Sequence, residues 1–142
     1  MKNLSRLLIT ALLLALATGC ASTKQFVPMP NQNKQVDADK VRIYVVRPTT
    51  IGAAVSMKVV DSGQFIGQTG PKSYLCWDRD PGMTVISSKA ENKAKVSLEA
   101  EAGKVYYIQQ HVRMGLLYAR NKLTFLNDAE GRKIVSKCSP PK

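Results

Sequence analysis

The chain between residues 41 and 142 predicts an all-β, or mostly β, fold: a small single-domain β-sandwich or barrel-like arrangement of about six to eight short strands. Three observations carry this expectation. Apolar residues recur at every second position rather than at three and four. Val, Ile and Tyr, which suit a pleated surface, cluster within these runs. Gly, Asp, Asn and Pro interrupt the runs at short intervals, as turns require. Roughly 100 residues suffice for one small core.

In VRIYVVRP, Val41, Ile43 and Val45 share one face, Arg42, Tyr44 and Val46 the other, and Pro48 ends the strand. VSMKVVD sets Val55, Met57 and Val59 against Ser56, Lys58 and Val60. Asp61-Ser62-Gly63-Gln64 is a turn signal, after which FIGQ resumes an extended run. SYLCW and MTVISS are short strands separated by the loop from Asp78 through Pro81 to Gly82. KVSLEAEAG places Val96, Leu98 and Ala100 opposite Lys95, Ser97, Glu99 and Glu101. Ala, Glu and Lys also favour a helix over residues 89–102, but the two-residue period favours a strand. Gly103-Lys104 turns the chain into VYYIQQHV, the strongest strand signal present, and LTFL at 123–126 is another. Residues 113–122, RMGLLYARNK, read as a hairpin whose leucines fold inward. The competing reading is an exposed apolar tip with basic flanks, suited to a membrane interface. NDAEGRKIVSKC, at 127–138, fits either a turn and final strand or a short helix.

The segments RIYVVRP, VVDSGQFIG, SYLCW followed by DPG, and AGKVYYIQ resemble the domain-of-unknown-function 2846 family of uncharacterised envelope proteins. Arg47-Pro48, Gly63, Gly67, Tyr74, Pro81-Gly82 and Gly103-Lys104-x-Tyr106-Tyr107 occur in the family's order, and the resemblance covers most of residues 41–112. It implies a compact, mostly β fold in exported, often lipidated proteins. It implies no particular activity.

The first 19 residues read as a lipoprotein signal peptide. Lys2 and Arg6 precede LLITALLLAL, a run too short to span a bilayer core, which takes about 20 apolar residues. Ala17-Thr18-Gly19-Cys20 then resembles a bacterial lipobox, although that motif prefers Leu, Val or Ile where Ala17 stands. The resemblance implies lipidation of Cys20, cleavage before it, and a membrane as partner through the lipid. The absence of aspartate after Cys20 implies sorting to the outer membrane in an organism with two membranes. Residues 20–40, the lipidated cysteine and a stretch rich in amides with two prolines, are expected to form a flexible tether to the β-rich domain at 41–142.

Three cysteines in an exported chain leave one odd. With Cys20 carrying lipid, Cys76 and Cys138 become a possible disulfide, worth about 4 kcal/mol in the chain-entropy account. Two free thiols are the alternative.

The chain carries 21 basic and 10 acidic residues, a net charge of +11, and a leader ending at Gly19 would remove only two of the positive charges. Such an excess favours anionic partners. For an exported protein these are anionic lipid, lipopolysaccharide or another envelope protein, not nucleic acid. Arg113, Arg120, Lys122, Arg132, Lys133 and Lys137 make the last thirty residues the most positive, and they are the candidate anionic-surface site.

Catalytic chemistry is poorly represented. His111 is the only histidine, which argues against a multi-imidazole metal site, and no G-x-S-x-G elbow marks a nucleophilic serine. Asp78 and Asp80 flank Arg79, but paired carboxylates serve glycosidases or calcium only at defined spacing. Turn formation before Pro81-Gly82 explains them as well. Arg42, Tyr44, Tyr74, Trp77 and Tyr106 have the composition of a binding surface, or else close the rim of the core. The expectation is therefore a lipid-anchored, non-catalytic binding or scaffolding module of the cell envelope, with no cofactor and no metal. The alternative is a small envelope hydrolase or an inhibitor of one.

Overall fold

The computed structural model describes residues 33–140; the expected signal peptide, Cys20 and the tether as far as residue 32 lie outside the described residues. Eight strands and one helix follow in order: β1 (Val41–Arg47), β2 (Met57–Asp61), β3 (Gln64–Thr69), β4 (Ser73–Arg79), β5 (Gly82–Lys89), β6 (Lys93–Ala100), β7 (Val105–Met114), β8 (Ala119–Leu126) and α1 (Asp128–Val135). They form two four-stranded sheets, ordered β4-β1-β7-β8 and β3-β2-β5-β6. The expected β-sandwich is therefore present. Every pairing between these strands is antiparallel except β1 with β7, which run parallel in the middle of the first sheet.

The period-2 pattern explains which side chains meet. Val41, Ile43 and Val45 of β1 pack with Leu75, Ile108 and Leu123 of their own sheet against Val59, Ile86, Leu98 and Ala100 of the other. Ser62 and Gly63 both adopt positive φ between β2 and β3, so a two-residue loop reverses the chain with the twist that a hairpin needs. Residues 93–100 are strand, as their alternation predicts, and Leu98 and Ala100 are buried in the core.

β1 is buried on both faces because α1 covers the outer side of its sheet. Tyr44, Val46, Tyr74, Cys76 and Tyr107 form a second apolar cluster there, closed by Leu126, Ile134, Val135 and Cys138. The helix starts at a full capping box: the Asn127 side chain accepts from the Glu130 N–H, and the Glu130 carboxylate accepts from the Asn127 N–H. Beyond it, Ser139 bonds the edge of β4 through Lys72 and Tyr74.

The anticipated Cys76–Cys138 disulfide is not formed; both are free thiols. They belong to the same outer cluster, but Cys76 is buried beside the Tyr44 hydroxyl, and that burial raises its pKa to about 11. Residues 33–40, read from sequence as the end of the tether, lie against the domain: Val36 is buried and the Lys34 carbonyl accepts from Arg42 Nη1 at 2.6 Å.

Arg47 is fully buried at the end of β1. Its guanidinium donates to the carbonyls of Ile51, Gly52, Val55 and Thr69, which fixes the loop leading into β2. A buried planar fork with several donors suits that task better than an ammonium group.

Candidate functional site

The β7–β8 hairpin projects from the pole of the sandwich opposite the start of β1, since β1 and β7 run parallel and β7 continues for ten residues. Its end is apolar and open to solvent. Met114, Leu116, Leu117 and Tyr118 are 75%, 92%, 81% and 49% exposed. The expectation that the leucines fold inward is therefore reversed. The reason is register: Met114 pairs with Ala119, and the four residues between them form a turn beyond the last pair of the sheet, where there is no core to enter.

A carboxylate from the other sheet holds this turn. Glu91, in the β5–β6 connection, accepts from the backbone N–H of Leu116 at 3.1 Å and from those of Leu117 and Tyr118 at 3.2 Å each. These donors, led by Tyr118, hold its pKa below the usual glutamate value. A Cβ at Gly115 would displace the Glu91 carboxylate from this position. Asn92, next in the chain, clamps the free edge of β8: its amide donates to the Asn121 carbonyl at 2.8 Å and accepts from the Asn121 N–H at 2.7 Å. Sequence reasoning missed Glu91 and Asn92. Only a polar turn marks them locally, and their partners lie more than twenty residues away.

The six candidate cations fall into two groups. Arg113, Arg120 and Lys122 lie behind the hairpin end and, with Asn92, Met114 and Asn121, line a cleft of about 340 Å³. Arg113 stands directly opposite Arg120, and Lys122 opposite His111. Among the described residues, no carboxylate forms an ion pair with Arg113, Arg120 or Lys122. Arg132, Lys133 and Lys137 belong to α1 and the residues after it, over Tyr107 near the other end of β7, and Arg132 is paired with Asp128 at 2.8 Å. A second cleft, of about 650 Å³, lies beside that helix and includes Lys34, Arg42, Tyr44, Tyr107 and Arg132 in its lining.

Asp61, Asp78 and Asp80 share the lining of one cleft of about 380 Å³, but His111 is not in it and each carboxylate is already engaged by a cation. His111 Nε2 meets Thr124 Oγ1 at 2.7 Å, and its pKa is lowered by burial and then by Lys122 and Arg113. Asp78 receives Arg42 through both oxygens at 2.8 and 3.0 Å, while Asp80 pairs with Lys40. Asp61 instead joins the sheets: Trp77 Nε1 donates to it at 2.9 Å and Arg79 Nη1 at 3.1 Å, with the Thr84 hydroxyl as a third donor. No cluster of three or more His, Cys, Asp or Glu suited to a metal occurs among the described residues. No helix among them is long and apolar enough to cross a membrane.

Fold and surface together define a small β-sandwich, backed by one helix, that presents an exposed apolar hairpin end. The chain belongs to the protein family of unknown function DUF2846, whose model matches residues 37–122. That match runs past Val112 and includes the hairpin end, but it stops short of α1. The chain is also 26% identical over 131 residues to an uncharacterized protein of Haemophilus influenzae, covering 86% of this chain and 76% of the relative.

Proposed function

We propose that this DUF2846 protein is a lipid-anchored, non-catalytic binding module of the cell envelope, held to the membrane through Cys20 and engaging its partner through the β7–β8 hairpin end. The observation that carries the binding role is the exposure of Leu116 and Leu117 on a turn fixed by Glu91. Solvated leucines on a loop that is nevertheless held in one shape are what a contact surface needs. The anchor rests on the lipobox-like Ala17-Thr18-Gly19-Cys20.

Metabolic labelling with palmitate tests the anchor. The wild-type chain should take up label and sediment with membranes, and Cys20→Ala should lose both properties. Label retained in Cys20→Ala would exclude lipidation at this thiol. A photo-crosslinking residue at Leu117 tests the contact: it should yield adducts in intact envelopes, while one at Lys95, on the outer face of the second sheet, should not. Equal yields at the two positions would remove the hairpin from the proposal.

A further inference from the structure

We propose that the β7–β8 hairpin end docks on an anionic phospholipid bilayer, with Leu116 and Leu117 entering the acyl boundary and Arg113, Arg120 and Lys122 meeting the headgroup phosphates. This names the partner of the contact surface proposed above and rests on that reading.

Three observations favour lipid over a protein partner. First, the most exposed groups are Leu116, Leu117 and Met114, with Tyr118 half-exposed beside them, on a projecting turn rather than in a groove. Protein hot spots are rich in Trp, Tyr and Arg and poor in Leu, whereas aliphatic side chains with a neighbouring tyrosine suit the boundary between headgroups and acyl chains. Each leucine transferred from water contributes on the order of tenfold or more in partitioning. Second, Arg113 faces Arg120 across the strands, and among the described residues neither has a carboxylate within ion-pair distance, Glu91 acting on Arg120 only from further off. Directly opposed like charges destabilise a sheet, and a layer of phosphates relieves that repulsion. Third, the charges stand at the right depth. Arg113 and Arg120 are one residue pair behind the turn and Lys122 lies two residues further back, about 7 Å along the strand, so the cations reach the headgroups when the leucines pass them.

The test uses the full chain purified and reconstituted into vesicles, with brominated lipids as quenchers. Leu117→Trp reports the hairpin end. Native Trp77, opposite Ile43 on β4, reports the other pole and serves as the control. In vesicles containing phosphatidylglycerol, Trp at 117 should be quenched by bromines in the anchoring bilayer or in added vesicles, while Trp77 should not. Quenching should be weak in pure phosphatidylcholine and should fade between about 0.1 M and 1 M salt as the screening length shortens. Arg113→Gln, Arg120→Gln and Lys122→Gln together should lower partitioning by roughly a hundredfold, at about fivefold per charge. Absence of quenching at 117 in every anionic arrangement would overturn the proposal, as would equal quenching in phosphatidylcholine. Thermal melting shows whether Leu117→Trp is folded, and Leu116→Trp provides a second probe. Protein adducts from the crosslinker at Leu117 without vesicle quenching would overturn the lipid assignment and leave the binding module standing. The mass of the purified chain, with or without its lipid, reports separately on the anchor.

Discussion

The Glu91 carboxylate receives three successive backbone N–H groups, an arrangement that favours its ionised form and lowers its pKa. A carboxylate whose pKa is depressed by folding stabilises the folded arrangement above its unfolded pKa, and that contribution is lost as pH falls through the lowered folded value. The hairpin end should therefore be ordered at neutral pH and loosen only in acid, below the ordinary glutamate range of about 4. Backbone ¹⁵N relaxation of residues 116–118 checks this: order should fall on acidification in the wild type. Glu91→Gln removes the charge and should leave the turn mobile even at pH 7, with the core melting temperature little changed because the group is on the surface. Order that is insensitive to both treatments would mean that strand pairing alone fixes the turn. Arg47 shows the opposite case at the same scale. Its charge is buried and its partners are carbonyls of the β1–β2 loop and of Thr69 at the end of β3, so its contribution is to backbone geometry and not to a surface.

Among the elements, the strands were the most legible. Val41, Ile43 and Val45 at alternate positions, the Ser62-Gly63 turn and the period of two in residues 93–100 each record a local steric rule, and the structure follows them. The helix was undecided from sequence, although Asn127 and Glu130 already form the N-x-x-E spacing of a capping box. The hairpin end was misread because inward leucines require a core beneath them, and whether one exists depends on where pairing stops, which period alone does not say. The unformed disulfide failed for a related reason: an even count of cysteines carries no geometry. α1 also gives a test with an unexpected sign. Gly131 lies inside the helix, where alanine would ordinarily be favoured by about 1 kcal/mol. A Cβ there would instead collide with the Tyr107 ring, and overpacking of this kind costs about 1–3 kcal/mol. Gly131→Ala should lower the melting temperature and increase alkylation of Cys76, which the helix shields; a stabilised variant would show that the helix shifts without loss.

For the whole molecule, what matters is how the two poles are joined. β1 begins beside Val105 and β7 ends at Met114, so the sandwich separates the entry of the chain from the hairpin end by about 33 Å, ten residues at strand rise. A lipid on Cys20 would leave residues 21–32 to join the bilayer to the described domain, and twelve residues extend to at most about 43 Å. A domain standing with its hairpin end toward the anchoring membrane would need most of that length. Deleting residues 22–27 leaves roughly 22 Å, too short for this orientation. In proteoliposomes where only the anchoring bilayer is brominated, the shortened Leu117→Trp chain should lose quenching. Addition of a second population of brominated anionic vesicles should restore it, since the hairpin end then faces outward with its charges free to meet them. Quenching unchanged by the deletion would show a domain lying on its side, its long axis along the membrane. In that orientation the cleft beside α1, with Lys34 and Arg132 in its lining, becomes the better place to look for a ligand.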